Sequence, residues 1–180
     1  MEKWIKILVV ACAVMLNPAQ AQQPGFQQDG YISGFGPFVR IPADTMLPKD
    51  AEFKVAFDTG VATAPGTINK TMVAAARFLN MHVDAGVAPD KIELVIVIHG
   101  SAGADVSNAN YYEEQHLQDN ASAPLVSALV EKGVRFIVCG QSAAFYGMSS
   151  EDFLPDVEIA LSAMTAHALL QQQGFTLNPF

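Results

Sequence analysis

Three short polar clusters carry the side chains best suited to chemistry, and each closes an apolar run. Asp58-Thr59 follows Phe53-Lys54-Val55-Ala56-Phe57, and His99-Gly100 follows the stretch Ile92 to Ile98. Cys139-Gly140-Gln141-Ser142 follows Val134-Arg135-Phe136-Ile137-Val138. Runs of this length, rich in β-branched residues and bounded by glycine and small polar residues, read as buried strands. Parallel strands would bring all three clusters to one rim, where open α/β sheets place their ligands.

Cys139 is the expected chemical centre. A thiol between a strand end and a helix start meets the positive end of the helix dipole and free N–H groups. Both stabilise the thiolate, the nucleophilic form. Gly-Gln-Ser follows at once, where a purely structural position would continue apolar. The competing reading is a buried structural cysteine, since free cysteine packs like a small hydrophobe. His99 reads either as a base or proton donor near Cys139 or as a rim histidine bonded to backbone. His167 falls on an expected buried helix and reads as a satisfied core histidine. His82 and His116 read as surface residues. No Cys/His or His/His pair has metal-ligand spacing. Gly140-Gln141-Ser142-Ala143-Ala144 matches part of the hydrolase elbow G-x-S-x-G, without its last glycine, on a chain short for that fold. Neither a P-loop nor a G-x-G-x-x-G is present, so nucleotide binding has no support. Asp58 and Asp119 fit turns and caps better than acid catalysis.

The elements that must position these clusters follow from periodicity. After the first strand, Asn69 is a candidate N-cap. Ile68, Met72, Ala76, Leu79 and Val83 then recur at helical spacing, with Gly86 as the stop. A short helix is expected around Asn108 to His116. A second opens at Asp119-Asn120, turns Leu125, Val126, Leu129 and Val130 inward, and ends at Lys132-Gly133. Gln141 to Tyr146 reads as a short helix closed by Gly147, and Ser149-Ser150-Glu151-Asp152 as a capped turn. From Pro155-Asp156 to Gln173 one long helix is expected, with Val157, Leu161, Met164 and Ala168, flanked by Ala160 and Ala163, facing inward. Phe175-Thr176-Leu177 is the last strand. The alternation predicts an α/β fold with a mostly parallel sheet of about four to five strands and helices on both faces.

The chain has 180 residues, is 51% hydrophobic and 16% charged, and carries a formal net charge of −8. One domain with a sizeable core is the expectation. The negative balance argues against nucleic acid or an anionic membrane surface as partner. Lys3 and Lys6 precede the apolar run Ile7 to Leu16, and Ala19-Gln20-Ala21 fits a small-x-small cleavage site. This predicts a secretory signal peptide over 1–21, with the mature protein starting at Gln22. A lipoprotein cut at Cys12, after Val9-Val10-Ala11, is the alternative. Residues 22–50, rich in Gly, Pro and Gln, read as an extended arm. Its aromatics Phe26, Tyr31, Phe35 and Phe38 require burial on the domain or on a neighbouring subunit. Residues 51–180 form the single domain. Loss of Cys12 with the leader makes Cys139 the one cysteine of the mature chain, so it is buried and inert, paired between chains, or reactive. No second segment is long and apolar enough to span a membrane.

With these residues in place the sequence resembles the DsrE/DsrF-like family of sulfur-relay proteins, in its exported, periplasmic branch. The resemblance rests on Phe53 to Asp58, Val97-Ile98-His99-Gly100, Val138-Cys139-Gly140-Gln141-Ser142, Leu154-Pro155, Ala160-Leu161-Ser162-Ala163-Met164-Thr165-Ala166 and Gln171-Gln172-Gln173-Gly174. It covers roughly Phe53 to the C-terminus, and the Cys-Gly-Gln-Ser block and the Leu-Ser-Ala-Met-Thr-Ala segment are its specific parts. It implies a small three-layer α/β/α fold that assembles into homo-oligomers, trimers or hexamers. It also implies transfer of sulfane sulfur as a persulfide on Cys139, without metal or organic cofactor. The partners would be a small-molecule sulfur donor or acceptor, or a thiol protein. His99 would assist Cys139, and Gly140, Gln141, Ser142, Gly100 and Asp58 would form the binding rim, with donors stabilising the anionic sulfur. Whether such a carrier is an enzyme stays open. The alternative function is a non-catalytic ligand-binding or assembly module of the same fold with a buried Cys139.

Overall fold

The computed structural model describes residues 25–42 and 47–179. The expected leader, Cys12 and the mature start lie outside them.

The arm opens with a small antiparallel hairpin, β1 (Phe26–Gln27) against β2 (Phe38–Val39). It then leads to β3 (Phe53–Thr59) and α1 (Lys70–Asp84). Next come β4 (Ile92–Ile98), α2 (Ala109–His116), α3 (Ala123–Val130) and β5 (Arg135–Cys139). The chain ends through α4 (Gly140–Phe145), β6 (Val157–Ala160), α5 (Ala163–Gln172) and β7 (Thr176–Asn178). The five later strands form one sheet in the order β6-β5-β4-β3-β7, and every neighbouring pair is parallel. The result is the three-layer α/β/α fold with a five-stranded parallel sheet.

The strand order explains how the layers are filled. From β3 to β6 the chain steps across the sheet in one direction. Right-handed crossovers then keep the intervening helices on one face. That face buries Val55, Phe57, Leu94, Ile96, Ile98, Phe136 and Val138 against Met72, Ala76 and Leu79 of α1 and Leu125 and Leu129 of α3. The step from β6 back to β7 runs the other way, so α5 lies on the opposite face. There Ala166 and Leu170 pack on Ala56, Val95, Val97 and Ile137. Burying Leu170 contributes about 2 kcal/mol. One helix cannot cover the width of five strands, and apolar side chains at its margins remain exposed, among them Ile159, Leu169 and Leu177.

The expected long helix from Pro155 to Gln173 does not form. Asp156 takes a positive φ of 64°, and Val157–Ala160 pair in parallel with Phe136 to Cys139 as β6. The helix begins only at Ala163, where the Ser162 side chain accepts the Thr165 N–H at 3.0 Å. The free edge of β5 and the β-branched Val157 and Ile159 outweigh the helical spacing of Val157, Leu161, Met164 and Ala168. That stripe is therefore not a core: Leu161 and Met164 are 73% and 80% exposed. Of its flanking alanines, Ala160 and Ala163 are half-buried against the α5-side core.

Two helices start at their expected caps, but the one expected to open at Asp119-Asn120 begins at Ala123, because the Asn120 side chain is spent on the preceding turn, donating to Ser107 O at 2.9 Å and accepting the Ser122 N–H at 3.0 Å. The Asn69 side chain accepts the N–H groups of Thr71 and Met72, and Asn108 accepts that of Tyr111. Ser149 and Asp152 form the expected capping box. The arm lies on the domain itself. Buried Asn80 on α1 accepts the Ile32 N–H at 2.7 Å and donates to Phe35 O at 2.8 Å and Gly36 O at 3.0 Å. Phe38 is buried there, while Phe26 stays exposed. His82 and His116, expected at the surface, are both half-buried, with His82 stacked on Phe78 and His116 against Tyr112.

Candidate functional site

Strand register brings the three polar clusters level. Thr59 pairs with Ile98, Ile98 with Val138, and Cys139 with Ala160. Side chains alternate along a strand. Val55, Phe57, Ile98 and Val138 face the α1–α3 layer, so Asp58, His99 and Cys139 turn toward α5. Three adjacent strands thus offer a carboxylate, an imidazole and a thiol on one face of one rim.

Cys139 ends β5 in an extended conformation and occupies the N-cap position of α4. Gly140 permits this turn. A Cβ there would lie 2.7 Å from the Ala160 carbonyl oxygen, so only glycine lets the end of β6 rise beside the thiol. The residue is 6% exposed. Burial alone pushes the thiol pKa up. Against this, the Cys139 sulfur accepts the Ser142 hydroxyl and the backbone N–H groups of Ser142, Ala163 and Gln141. These bonds favour the thiolate and outweigh burial, leaving the thiol below its ordinary value. Two donors come from the first turn of α4. The third N–H is that of Ala163, the first residue of α5.

Ser142 has a second bond. Its hydroxyl oxygen accepts the Gly100 N–H at 2.8 Å, while the hydroxyl favours the Cys139 thiolate. A hydroxyl held this way serves the thiol and is not set up as a hydrolase nucleophile. Gln141 contributes through its backbone, because its side-chain amide donates to Leu161 O at 3.2 Å.

Asp58 bridges two histidines. Its Oδ2 lies 3.0 Å from His99 Nε2 and its Oδ1 lies 2.7 Å from His167 Nε2. His99 therefore reaches Asp58, and it is not among the hydrogen-bond partners of the Cys139 sulfur. Its ring lies across Gly60, where an added Cβ would overlap it.

A family model described as DsrE/DsrF-like matches residues 53–179. The chain belongs to the DsrE/DsrF-like family. The match begins with β3 and ends just past β7, so it covers the five-stranded unit and leaves the β1–β2 hairpin outside. No curated protein matches the sequence. Among solved structures, a protein of unknown function from Methanobacterium thermoautotrophicum, MTH1491, is similar in fold. Its TM-score is 0.50 at 20% identity, over 72% of this chain and 100% of that one.

On this DsrE/DsrF-like domain the rim is ringed by exposed apolar side chains. Val61 follows β3, Phe145 and Tyr146 end α4, and Leu161 and Met164 flank the start of α5. Below the rim lies Asp105, buried and pushed above the usual carboxylate range by desolvation. It accepts Asn69 Nδ2 at 2.7 Å and the Thr63 N–H at 3.1 Å, tying the loop after β3 to the loop after β4. Among the described residues no group of three or more His, Cys, Asp or Glu side chains is arranged to hold a metal ion. No described helix is long and apolar enough to cross a membrane.

Two site contributors were absent from the sequence expectations, the Ala163 N–H and His167. The signal was Ser162 with Thr165 three residues later, a helix start that makes Ala163 the first residue and places His167 one turn on. A helix drawn from Pro155 hides both.

Proposed function

We propose that the protein is an exported sulfur carrier whose Cys139 accepts sulfane sulfur as a persulfide and passes it to an acceptor thiol. Family membership suggests a sulfur-relay role. The observation that carries the finer reading is the place of Cys139, a free thiol at the N-cap of α4 on the same rim and face as Asp58 and His99, with Ser142 three residues on held by the Gly100 N–H. The same donors that favour the thiolate suit the terminal sulfur of a persulfide anion, which carries the same charge one bond further out.

With thiosulfate as donor, the Cys139 thiolate attacks the outer sulfur. A new S–S bond forms on Cys139, the S–S bond of the donor breaks, and its electron pair leaves on sulfite. No electrons are gained or lost overall. His99, held by Asp58 at the rim, supplies a proton to the departing sulfite. An acceptor thiolate then attacks the outer sulfur of the persulfide, takes it, and returns Cys139 as thiolate. Gly100 holds Ser142 in place, and Gly140 lets the end of β6 pass close to Cys139.

The leader over 1–21 supports export, and the apolar ring at the rim supports self-association into a trimer or hexamer. Fractionation with N-terminal sequencing tests the first, with a start at Gln22 expected. Sedimentation of the purified protein tests the second.

The 6% exposure of Cys139 favours the alternative of a binding or assembly module with a buried thiol. Intact-mass spectrometry of native protein after incubation with thiosulfate or polysulfide decides between them. One added sulfur atom, absent in Cys139→Ser, is expected. A native protein that takes no sulfur and resists thiol reagents sinks the carrier reading.

A further inference from the structure

We propose that the groove between the β1–β2 hairpin and α1 binds a medium-chain alkanoate, with the carboxylate at Arg77 and the alkyl chain laid along Met81. The inference is independent of the sulfur-carrier reading, since none of Asp58, His99 and Cys139 lines the groove.

The hairpin is clamped to α1 at two points. At one, Arg77 Nε donates to Pro37 O at 2.7 Å, and the chain passes so close that a Cβ on Gly36 would lie 2.3 Å from the Arg77 backbone nitrogen. At the other, Arg40 Nε donates to Asp84 Oδ2 at 2.8 Å. Between the clamps lies a cavity of about 830 Å³, lined by both elements. That is within the range of about 300–1,000 Å³ in which proteins hold small molecules. The clamps order its walls in advance, which lowers the cost of binding.

The walls are apolar. Phe26, Val39, Ile41 and Leu47 come from the arm and Met81 from α1, and all five are exposed. Single exposed apolar side chains are ordinary, but five around one cavity mark a binding surface. The hairpin that supplies much of this wall lies outside the family match, which starts at residue 53.

One cation sets the cavity apart from a plain apolar face. Arg40 and Arg135 each grip a carboxylate through two nitrogens, Asp84 and Glu158 respectively. Half-buried Arg77 has no carboxylate partner among the described residues, and its Nε bond to Pro37 leaves the terminal nitrogens for an anion. A guanidinium matches the two oxygens of a carboxylate with paired N–H groups. Arg77, Met81 and Ala85 recur at four-residue spacing and share one face of α1. From Arg77 to Ala85, at about 1.5 Å per residue, the groove runs about 12 Å. That length suits a medium alkyl chain, and Arg77 fixes which end carries the charge. A neutral chain would leave the guanidinium without an anion, and a cationic one would meet like charge.

The test titrates decanoate, decanol and decyltrimethylammonium, each below its micelle or solubility limit, into the purified protein by calorimetry. Arg77→Gln and Ile41→Glu are measured beside wild type, with melting temperature as the check on folding. Ile41 is 69% exposed, so Ile41→Glu keeps the fold while setting a carboxylate in the groove. Decanoate should bind at one site per chain, about tenfold tighter than decanol, and decyltrimethylammonium should not bind. Ile41→Glu should weaken decanoate at least about tenfold at an unchanged melting temperature. Arg77→Gln should weaken decanoate about tenfold and decanol little, a split that a purely structural role for Arg77 does not produce. No saturable decanoate binding to wild type overturns the inference. So does decanol binding as tightly as decanoate, or Arg77→Gln weakening both alike. Sedimentation reads two other occupants. A dimer that Ile41→Glu splits makes the groove an interface between copies, and pelleting with phosphatidylglycerol vesicles that Ile41→Glu abolishes makes it a membrane contact; either result overturns the alkanoate site.

Discussion

The Gly100 N–H donates to the Ser142 hydroxyl oxygen at 2.8 Å, and this holds in place the hydroxyl that favours the Cys139 thiolate. A backbone amide at the end of one strand thereby sets a donor for the thiol at the end of the next. Ser142→Ala removes the donor and leaves the Gly100 N–H without its acceptor. The thiol pKa should rise, and stability should fall by about 1–3 kcal/mol. Alkylation by iodoacetamide as a function of pH, together with urea unfolding, checks both; an unchanged alkylation profile would show that Ser142 does not serve the thiol.

The lowered thiol pKa has a signature in stability. The folded thiol ionises more readily than an unfolded one, whose pKa is about 8.5. Its stabilising contribution is therefore fully present above that value and is lost as pH falls through the folded pKa. Wild type should gain stability relative to Cys139→Ser as pH rises through that window. A difference that stays flat across the window counts against a depressed thiol in the native protein.

Gly60 offers a way to disturb His99 without replacing it. In Gly60→Ala the new Cβ overlaps the imidazole, so the ring must leave its place beside Asp58. If His99 supplies the proton, single-turnover sulfur transfer from thiosulfate should slow by about a hundredfold. The thiol titration should stay as in wild type, because the sulfur's donors lie elsewhere. Unchanged transfer in both Gly60→Ala and His99→Asn would remove His99 from the reaction.

Asp105 is the buried carboxylate beneath the site. Asp105→Ala should cost about 3 kcal/mol, since it leaves Asn69 and the Thr63 N–H without their acceptor. Asp105→Asn keeps an acceptor and should cost less. Burial raises the folded pKa above the unfolded value of about 3.9. The native state then holds its proton longer, and this group's contribution falls as pH rises from that value through the folded pKa. Thermal melts of the wild type and both variants across acidic pH measure it.

Much of this was legible in the sequence because the strands are simple objects. Val55 to Phe57, Leu94 to Ile98 and Phe136 to Val138 are apolar runs buried on both faces, and each stops at a polar residue or the thiol. Those stops single out Asp58, His99 and Cys139 without recourse to geometry. The region after Pro155 was harder, because an edge strand of four residues needs its neighbour to exist. Val157 and Ile159 pair with β5, a contact far away in sequence, and local periodicity has no access to it. With β6 read as helix, the start of α5 was misplaced, and with it the Ala163 N–H and the role of His167. Pairing of His99 with Asp58 was hidden for a related reason, since only strand order makes β3 and β4 neighbours.

On the α1 face of the sheet, the loads are shared. A slip of one helix there leaves others to keep water from the strands. On the opposite face, among the described residues, α5 is the only wall, and it is also a supplier of a hydrogen bond to sulfur. Among the described residues only Phe175, just past α5, adds to that cover. Damage to the packing of Ala166 or Leu170 should reach the thiol as surely as damage beside it, and core substitutions on that face should be felt in reactivity before they are felt in solubility.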